Sequence, residues 1–278
     1  MSALQRFDAA LPRHAFSARN AARAGDVWRM LQEVAVEAST RVGWAPMRYR
    51  AEGSAFVMRT MDVVHVREAL YGEALAARTW VRPFKRGVFS TREIGIDSAE
   101  DGTPIARATQ QWVHVNATMK PARAPAALAD AFVPHDEPED PSATMPEIEE
   151  TLAGPVHRFT FEPWFTSMDP LDHVNHPAYV DFCDEALARV AHAAGLRPVA
   201  LRPHAERMTY TRGVEALDRT TVETELRGRT AAGAVVCAHR VVLGDGTLCA
   251  KGITVRDSVD PGATEALVAA LAGSSASA

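Results

Sequence analysis

Cysteine is scarce in this 278-residue sequence: there are three, Cys183, Cys237 and Cys249, and no C-x-x-C spacing. An odd number of widely separated thiols supports neither a disulfide framework nor a zinc knuckle and reads as reduced packing residues. No apolar run approaches the ~20 residues of a membrane span, and residues 1–23 carry no apolar stretch of signal-peptide type. The expected compartment is therefore the cytoplasm, with no membrane partner. A basic excess is missing too, since 30 Lys and Arg stand against 35 Asp and Glu for a net charge of −5. That balance argues against nucleic acid and for a small ligand, or a protein met through a local patch. What is there is ordinary globular material, 47% hydrophobic and 23% charged. Domains typically run ~100–150 residues, so the length implies two cores.

The clearest break lies over residues 117–155, where Pro121, Pro125, Pro134, Pro138, Pro141, Pro146 and Pro155 coincide with Asp136, Glu137, Glu139, Asp140, Glu147, Glu149 and Glu150. This reads as a linker, interrupted at most by a short helix over Pro125 to Phe132. The expected division is a module over 1–116, this linker, a second module over 156–257, and a flexible or helical tail over 258–278.

The same order of elements appears on either side. Residues 26–43 place Val27, Met30, Leu31, Val34, Ala38 and Val42 at helical spacing, with Asp26 as N-cap and Gly43 as stop, a helix of about five turns. Residues 178–195 repeat this with Tyr179, Phe182, Ala186, Val190 and Ala194 on one stripe, Pro177 before it and Gly195 after it. Strand-like runs follow each helix, over 55–67, 73–83, 87–97 and 104–116, then 206–212, 219–228, 232–243 and 247–256. Two tripeptides recur in order: Glu68-Ala69-Leu70 as Glu215-Ala216-Leu217, and the turn Asp101-Gly102-Thr103 as Asp245-Gly246-Thr247. Tandem duplication explains both. The expected fold class is α+β: a double hotdog, in which each module wraps an antiparallel sheet around a central helix.

Polar residues concentrate just before the second helix, where Asp169, Asp172, His173, Asn175 and His176 fall within a short stretch. A solvated loop, with Asp172 or Asn175 capping the helix, would account for them as well as a reactive site would. The pattern D-P-x-x-H-V-N-x-x-x-Y, from Asp169 to Tyr179, resembles the signature of the 4-hydroxybenzoyl-CoA thioesterase and acyl-ACP thioesterase families. The resemblance extends through the first half and covers residues 14–257. It implies a hydrolase that releases a fatty or related carboxylic acid from an acyl-ACP or acyl-CoA thioester, in fatty acid or lipid metabolism, with no metal and no cofactor. Asp169 falls where the family has its catalytic carboxylate, acting as general base or nucleophile, and His173 would orient it or the water. Asn175 and Tyr179 would bind substrate. The start of the second helix, with unpaired N–H groups, would polarise the carbonyl.

Two positions depart from the plant acyl-ACP pattern: Leu171 replaces an asparagine, and Gly213 a glutamate. Glu215, on the same strand face if the strand continues so far, is the candidate substitute. The first half has no carboxylate matching Asp169 in its equivalent stretch, Arg19 to Gly25, so one site per chain is expected. The N-terminal module would hold the acyl chain against Phe56, Met58 and Met61. Arg78, Arg82, Lys85, Arg86 and Arg92 fall on one predicted hairpin, where Arg82, Lys85 and Arg86 would meet an acidic carrier protein or the phosphates of coenzyme A.

Other readings remain open from sequence: a Cys183–His173 nucleophilic pair, a non-catalytic acyl-thioester sensor, and a hotdog dehydratase using Glu33 or Glu37. His114-Val115-Asn116 copies H-V-N in letters but sits in an alternating strand. A homodimer of tandem chains also fits the resemblance.

Overall fold

The computed structural model describes residues 4–135 and 143–273, so Asp136, Glu137, Pro138, Glu139, Asp140 and Pro141 of the expected linker lie outside the described residues. The chain divides into two compact units: 1–15 with 26–144, and 16–25 with 145–278. The stretch 16–25, assigned from sequence to the N-terminal module, thus groups with the second unit.

In the first unit the order is β1 (Gln5–Ala9), α1 (Ala24–Arg41), α2 (Pro46–Ala51), β2 (Ser54–His65), β3 (Leu75–Val81), β4 (Phe89–Ser98), β5 (Pro104–Asn116) and α3 (Ala126–Ala131). Its strands pair antiparallel in the order β1-β3-β4-β5-β2. The apolar stripe of α1 packs against this sheet: Trp28, Leu31 and Ala38 are fully buried, and Gln110 Nε2 on β5 donates to the Leu31 carbonyl at 3.3 Å. The helix starts two residues before the expected N-cap, so Asp26 lies inside the first turn, paired with Arg29 at 3.2 Å. A bulge at Arg59 shifts the β2 register between Met58 and Thr60, which turns Met61 onto the same face as Met58.

The second unit runs β6 (Glu150–Thr151), β7 (His157–Phe161), α4 (Ala178–Ala193), β8 (Leu201–Tyr210), β9 (Thr220–Arg229), β10 (Val235–Leu243), β11 (Leu248–Ser258) and α5 (Ala263–Leu271). The sheet order is β8-β11-β10-β9, with β6 and β7 both on the outer side of β9, and all pairs are antiparallel. The tail is helical: Leu267, Val268 and Leu271 of α5 close the core formed by Leu187, Ala191, Leu226, Val235 and Cys237. A buried ion cluster fixes α4 to its sheet. Arg256 on β11 donates to Asp184 on α4 at 3.0 Å and to Glu206 on β8, and burial pushes the Asp184 carboxyl up to about 6.

Backbone detail confirms the duplication. Both long helices end in a Schellman motif: Gly43 (φ 84°) with Trp44 N–H bonded to Ser39 O, and Gly195 (φ 76°) with Leu196 N–H bonded to Ala191 O, each at 2.9 Å. Both repeated turns are Asx turns, Thr103 N–H to Asp101 at 2.9 Å and Thr247 N–H to Asp245 at 2.8 Å.

His239 is buried within the second sheet, its ring held between Thr224 Oγ1 at 3.0 Å and Thr254 Oγ1 at 2.8 Å. Burial, with Arg256 second, pushes it down to about 3. Because the folded value lies below the ordinary one, its neutral form stabilises the fold above pH 6.5, and that contribution is lost as pH falls toward 3. Urea unfolding at pH 7.5, 5.5 and 4.5 should show stability falling with pH, His239 contributing up to about 1.4 kcal/mol per unit. His239→Gln should flatten the dependence; an unchanged slope would remove the histidine as its cause.

Candidate active site

The loop between β7 and α4 is closed on itself. A short 3-10 turn over Phe165–Ser167 leads into an antiparallel bridge between Met168 and Val174. Within it Asp169 N–H bonds to His173 O at 2.9 Å and Asp172 N–H to Asp169 O at 3.0 Å, with Asp172 in the left-handed region (φ 61°) that Asp tolerates. Leu171 N–H donates to Asp169 Oδ1 at 2.8 Å, so the carboxylate fastens its own loop. The side chain of Asp169 is 13% exposed, and the same Oδ1 lies 3.5 Å from His173 Nδ1, whose hydrogen-bond partner is the Val174 carbonyl at 3.3 Å. Among the described residues Oδ2 has no partner.

The loop is held from outside by the end of β8 and the residues after it. Val174 N–H bonds to Val214 O at 2.8 Å, while Val214 N–H donates to the Tyr179 hydroxyl at 3.0 Å. Tyr210 donates its hydroxyl proton to His176 O at 2.8 Å, and its ring meets those of Tyr179 and His176 edge-on. Gly213 lies directly against His173: a Cβ there would stand 2.8 Å from His173 Cβ. The missing plant-type glutamate thus has a steric reason, because no side chain fits at 213 while His173 keeps its place.

Several expectations change. The strand stops at Tyr210, so Glu215 is not on a continuing strand face; it is exposed in the following turn, its N–H donated to Asp218 at 3.1 Å. The first N–H groups of α4 are not free, since Ala178, Tyr179 and Val180 bond to the carbonyls of Asn175, His176 and Pro177 in a tight entry turn. Tyr179 is buried, with burial pushing its hydroxyl up, and serves as a strut. The amide oxygen of Asn175, an acceptor, is buried nearby without a partner among the described residues. His176 is pushed down to about 3 by burial and, second, by His173. Cys183 is fully buried, and burial pushes its thiol up, against a nucleophilic role. Glu33 and Glu37 are exposed on α1, Glu37 paired with Arg41 at 3.0 Å, which removes the basis of the dehydratase reading. His114 is buried and bonded to Ala122 O at 2.9 Å, as a sheet residue.

In the first unit, Phe56 packs among Tyr49, Phe84 and His114, Met58 is 8% exposed and Met61 fully buried. The expected basic hairpin is only partly a patch. Arg78 pairs with Asp97 at 3.2 Å and Arg82 with Glu93 at 2.8 Å, and Arg92 is buried. Lys85 and Arg86 are exposed at the turn, with Arg123 packed beside Gly87.

The sequence reading missed Ser17. The loop before α1 repeats the Asp169 loop bond for bond: a bridge Phe16 to Ala22, Ser17 N–H to Ala21 O at 2.9 Å, Asn20 N–H to Ser17 O at 3.0 Å, and Asn20 at φ 58°. Ser17 Oγ even accepts Arg19 N–H at 3.3 Å, as Asp169 accepts Leu171 N–H. Serine stands where the other loop has its carboxylate, and Ala21 where it has His173. The signal in the sequence was the spacing to the helix-stop glycines, 26 residues from Ser17 to Gly43 and 26 from Asp169 to Gly195.

No family model matches the chain, and no curated protein sequence matches it. Solved structures do. A protein assigned as an oleoyl thioesterase from Lactobacillus plantarum superposes with TM-score 0.75 at 16% identity over 92% of this chain and 97% of its own. The 12:0-ACP thioesterase from Umbellularia californica gives 0.71 at 16% over 92% and 95%. An acyl-ACP thioesterase from Bacteroides thetaiotaomicron gives 0.71 at 13% over 92% and 100%. The chain has the double-hotdog fold of these proteins; at such identity the likeness is one of fold, and the chemistry rests on its own residues.

Gly213→Glu, which restores the plant-type residue by letter, should displace His173 and its loop. The expected result is a fall of at least about 100-fold in turnover of an acyl thioester with the fold retained by circular dichroism. A gain in activity would show that the loop yields to the carboxylate.

Proposed function

We propose that this protein hydrolyses acyl-ACP or acyl-CoA thioesters, releasing a fatty or related carboxylic acid, with Asp169 as the reacting carboxylate. The observation that carries the reading is the Asp169 carboxylate, fastened through one oxygen to Leu171 N–H with His173 3.5 Å away while the other has no partner among the described residues, in a double-hotdog frame. As general base, Asp169 takes a proton from water while the oxygen attacks the thioester carbon. The tetrahedral intermediate then expels the thiolate as the C–S bond breaks, and the proton passes from Asp169 to the sulfur. As nucleophile, Asp169 would instead attack the thioester carbon and expel the thiolate as the C–S bond breaks, and water would cleave the resulting mixed anhydride to the acid and free Asp169. The side-chain NH2 of Asn175, ahead of α4, is the candidate donor to the developing oxyanion. His173 keeps the carboxylate in place.

A second reading, an acyl-thioester sensor, is favoured by one observation: the Ser17 loop keeps the same backbone with no carboxylate. Asp169→Asn keeps shape and most hydrogen bonding, so it should lower kcat at least about 100-fold with little change in KM, while Cys183→Ser leaves kcat within a few-fold. Retention of most activity by Asp169→Asn would sink the assignment.

Lys85 and Arg86, the exposed cations of the β3–β4 turn, suit an acidic carrier protein or the phosphates of coenzyme A. Changing both to Glu should raise KM for acyl-ACP strongly while leaving hydrolysis of a short acyl-pantetheine nearly unchanged, and wild-type KM for acyl-ACP should climb with salt. Equal effects on the two substrates would exclude a docking role.

A further inference from the structure

The second unit holds a cavity that the candidate site does not use. It has a volume of about 850 Å³ and lies between β7, the C-terminal half of α4 and α5. That volume falls inside the ~300–1,000 Å³ range of small-molecule sites. Ala186, Val190, Ala193 and Ala194 of α4 line it together with Ala266 and Ala270 of α5, and Phe159 of β7 forms a further wall. The Asp169 loop precedes α4, which starts at Ala178, so at ~1.5 Å per residue the cavity begins about 12 Å down the helix axis from that loop.

The two copies differ in what closes this space. The offset of 152 residues that relates Ser17 to Asp169 and Gly43 to Gly195 also carries β1 (Gln5–Ala9) onto β7 (His157–Phe161) and Arg41 onto Ala193. In the first unit β1 is fastened to α1 by two bonds. Gln5 Nε2 donates to Ala38 O at 3.2 Å, and Arg41 Nη1 donates to Arg6 O at 3.1 Å with its guanidinium 4.0 Å from the Phe7 ring. Neither tie recurs in the second unit among the described residues: His157, in the place of Gln5, bonds to Leu271 O of α5 at 3.0 Å, and Ala193, in the place of Arg41, ends at a methyl. The strand is thus tied to α5 instead of α4, and the space beside α4 is left to alanines. The cavity beside β1 is smaller, about 410 Å³, and carries both signs of charge, Arg6, Arg41 and Arg78 with Asp8 and Asp97.

The lining of the larger cavity is apolar and basic: His157, Arg158 and Arg189 contribute to it, and no Asp or Glu does among the described residues. Arg158 pairs with Glu223, its cross-strand neighbour on β9, at 3.1 Å. Arg189 is the cation held at the cavity, its guanidinium 4.2 Å from the Phe159 ring, and a single ion pair, to Glu185 at 2.8 Å, engages only part of its five-donor fork. Residues 274–278, which follow Gly273 of the lining, are serine and alanine by sequence and add no charged or large side chain. We propose that this cavity binds the anion of an aliphatic carboxylic acid, its hydrocarbon chain along the alanines of α4 and α5 and its carboxylate on the Arg189 fork. Alanine walls admit a flexible chain and offer no ring to stack on; the one phenyl ring of the lining already carries Arg189 and stacks on Phe161 at 5.0 Å. Apolar contact supplies the affinity, and Arg189, which is exposed, supplies the choice of charge. The site rests on its own cavity and needs neither hydrolysis nor a thioester.

Calorimetric titration of the full chain with decanoate, hexanoate and the cationic decylamine tests this by binding alone. Decanoate should bind saturably, with hexanoate at least about 10-fold weaker, since each methylene lost from an apolar contact costs up to roughly 4-fold. Decylamine should bind at least about 3-fold more weakly than decanoate. Ala193→Trp, at an exposed position of α4, fills the cavity and should weaken decanoate at least about 10-fold with Tm unchanged. Arg189→Met keeps an apolar side chain against Phe159 and should bring decanoate and decylamine within about 2-fold of each other. The proposal is overturned if decanoate does not bind, if decylamine binds as tightly, if Ala193→Trp keeps the affinity, or if Arg189→Met keeps the preference for the acid. The wild-type comparison of acid with amine stands even where a variant does not fold.

Discussion

The candidate site depends on one close contact, the His173 side chain laid against Gly213. Because nothing extends from Gly213, the loop ahead of α4 comes close enough for Val174 N–H to bond to the Val214 carbonyl. That bond places Val214 N–H under the Tyr179 hydroxyl, and Tyr210 holds His176 from the same side. The loop is therefore clamped between the first turn of α4 and the end of β8, and Asp169 occupies a position set by this clamp together with its own bond from Leu171 N–H. The buried Arg256 cluster extends the clamp by tying α4 to β8 and β11.

The duplicated loop separates frame from chemistry. Ser17 and Asp169 close their loops with the same bonds, yet only one loop carries a carboxylate and a histidine. The backbone closure needs an oxygen acceptor on the side chain, which serine supplies as well as aspartate, so replacing the acid left the loop standing. The first unit has diverged in the other direction, placing a buried cation, Arg92, beside a packed aromatic cluster. Duplication gives one copy freedom to lose reactive groups while its sheet and helix continue to serve packing.

Much of this was legible in the sequence. The two long helices announce themselves by apolar spacing and by stop glycines whose positive φ is required, and the repeated Asp-Gly-Thr turns fold as the Asx turns that pattern dictates. The eight long strands follow from alternation, although the fifth begins five residues earlier than expected, at Leu201, because Arg202 and His204 are held by Asp257 rather than by solvent. Short edge elements escaped, since β1 and β7 have too few residues to show a period, and the tail stayed open between flexible and helical because α5 is apolar nearly all round. Alternation also does not reveal which side of a sheet is covered. Arg92 reads as one of a row of surface arginines, and only α2 and α3, folding over that face, make it a core residue. The N–H groups opening α4 were misread for a similar reason, since the tight turn at Asn175 to Ala178 that consumes them depends on tertiary clamping by Val214.

The central claim is that Asp169, in this clamped loop, hydrolyses thioesters rather than merely holding them. Its most direct test is to incubate the purified protein with a panel of acyl-CoA and acyl-ACP thioesters of differing chain length and follow free thiol and free acid together. The account predicts multiple turnovers with equal amounts of thiol and acid for at least one acyl group. Tight binding of the thioesters with no release of thiol would contradict it and leave the protein as a sensor.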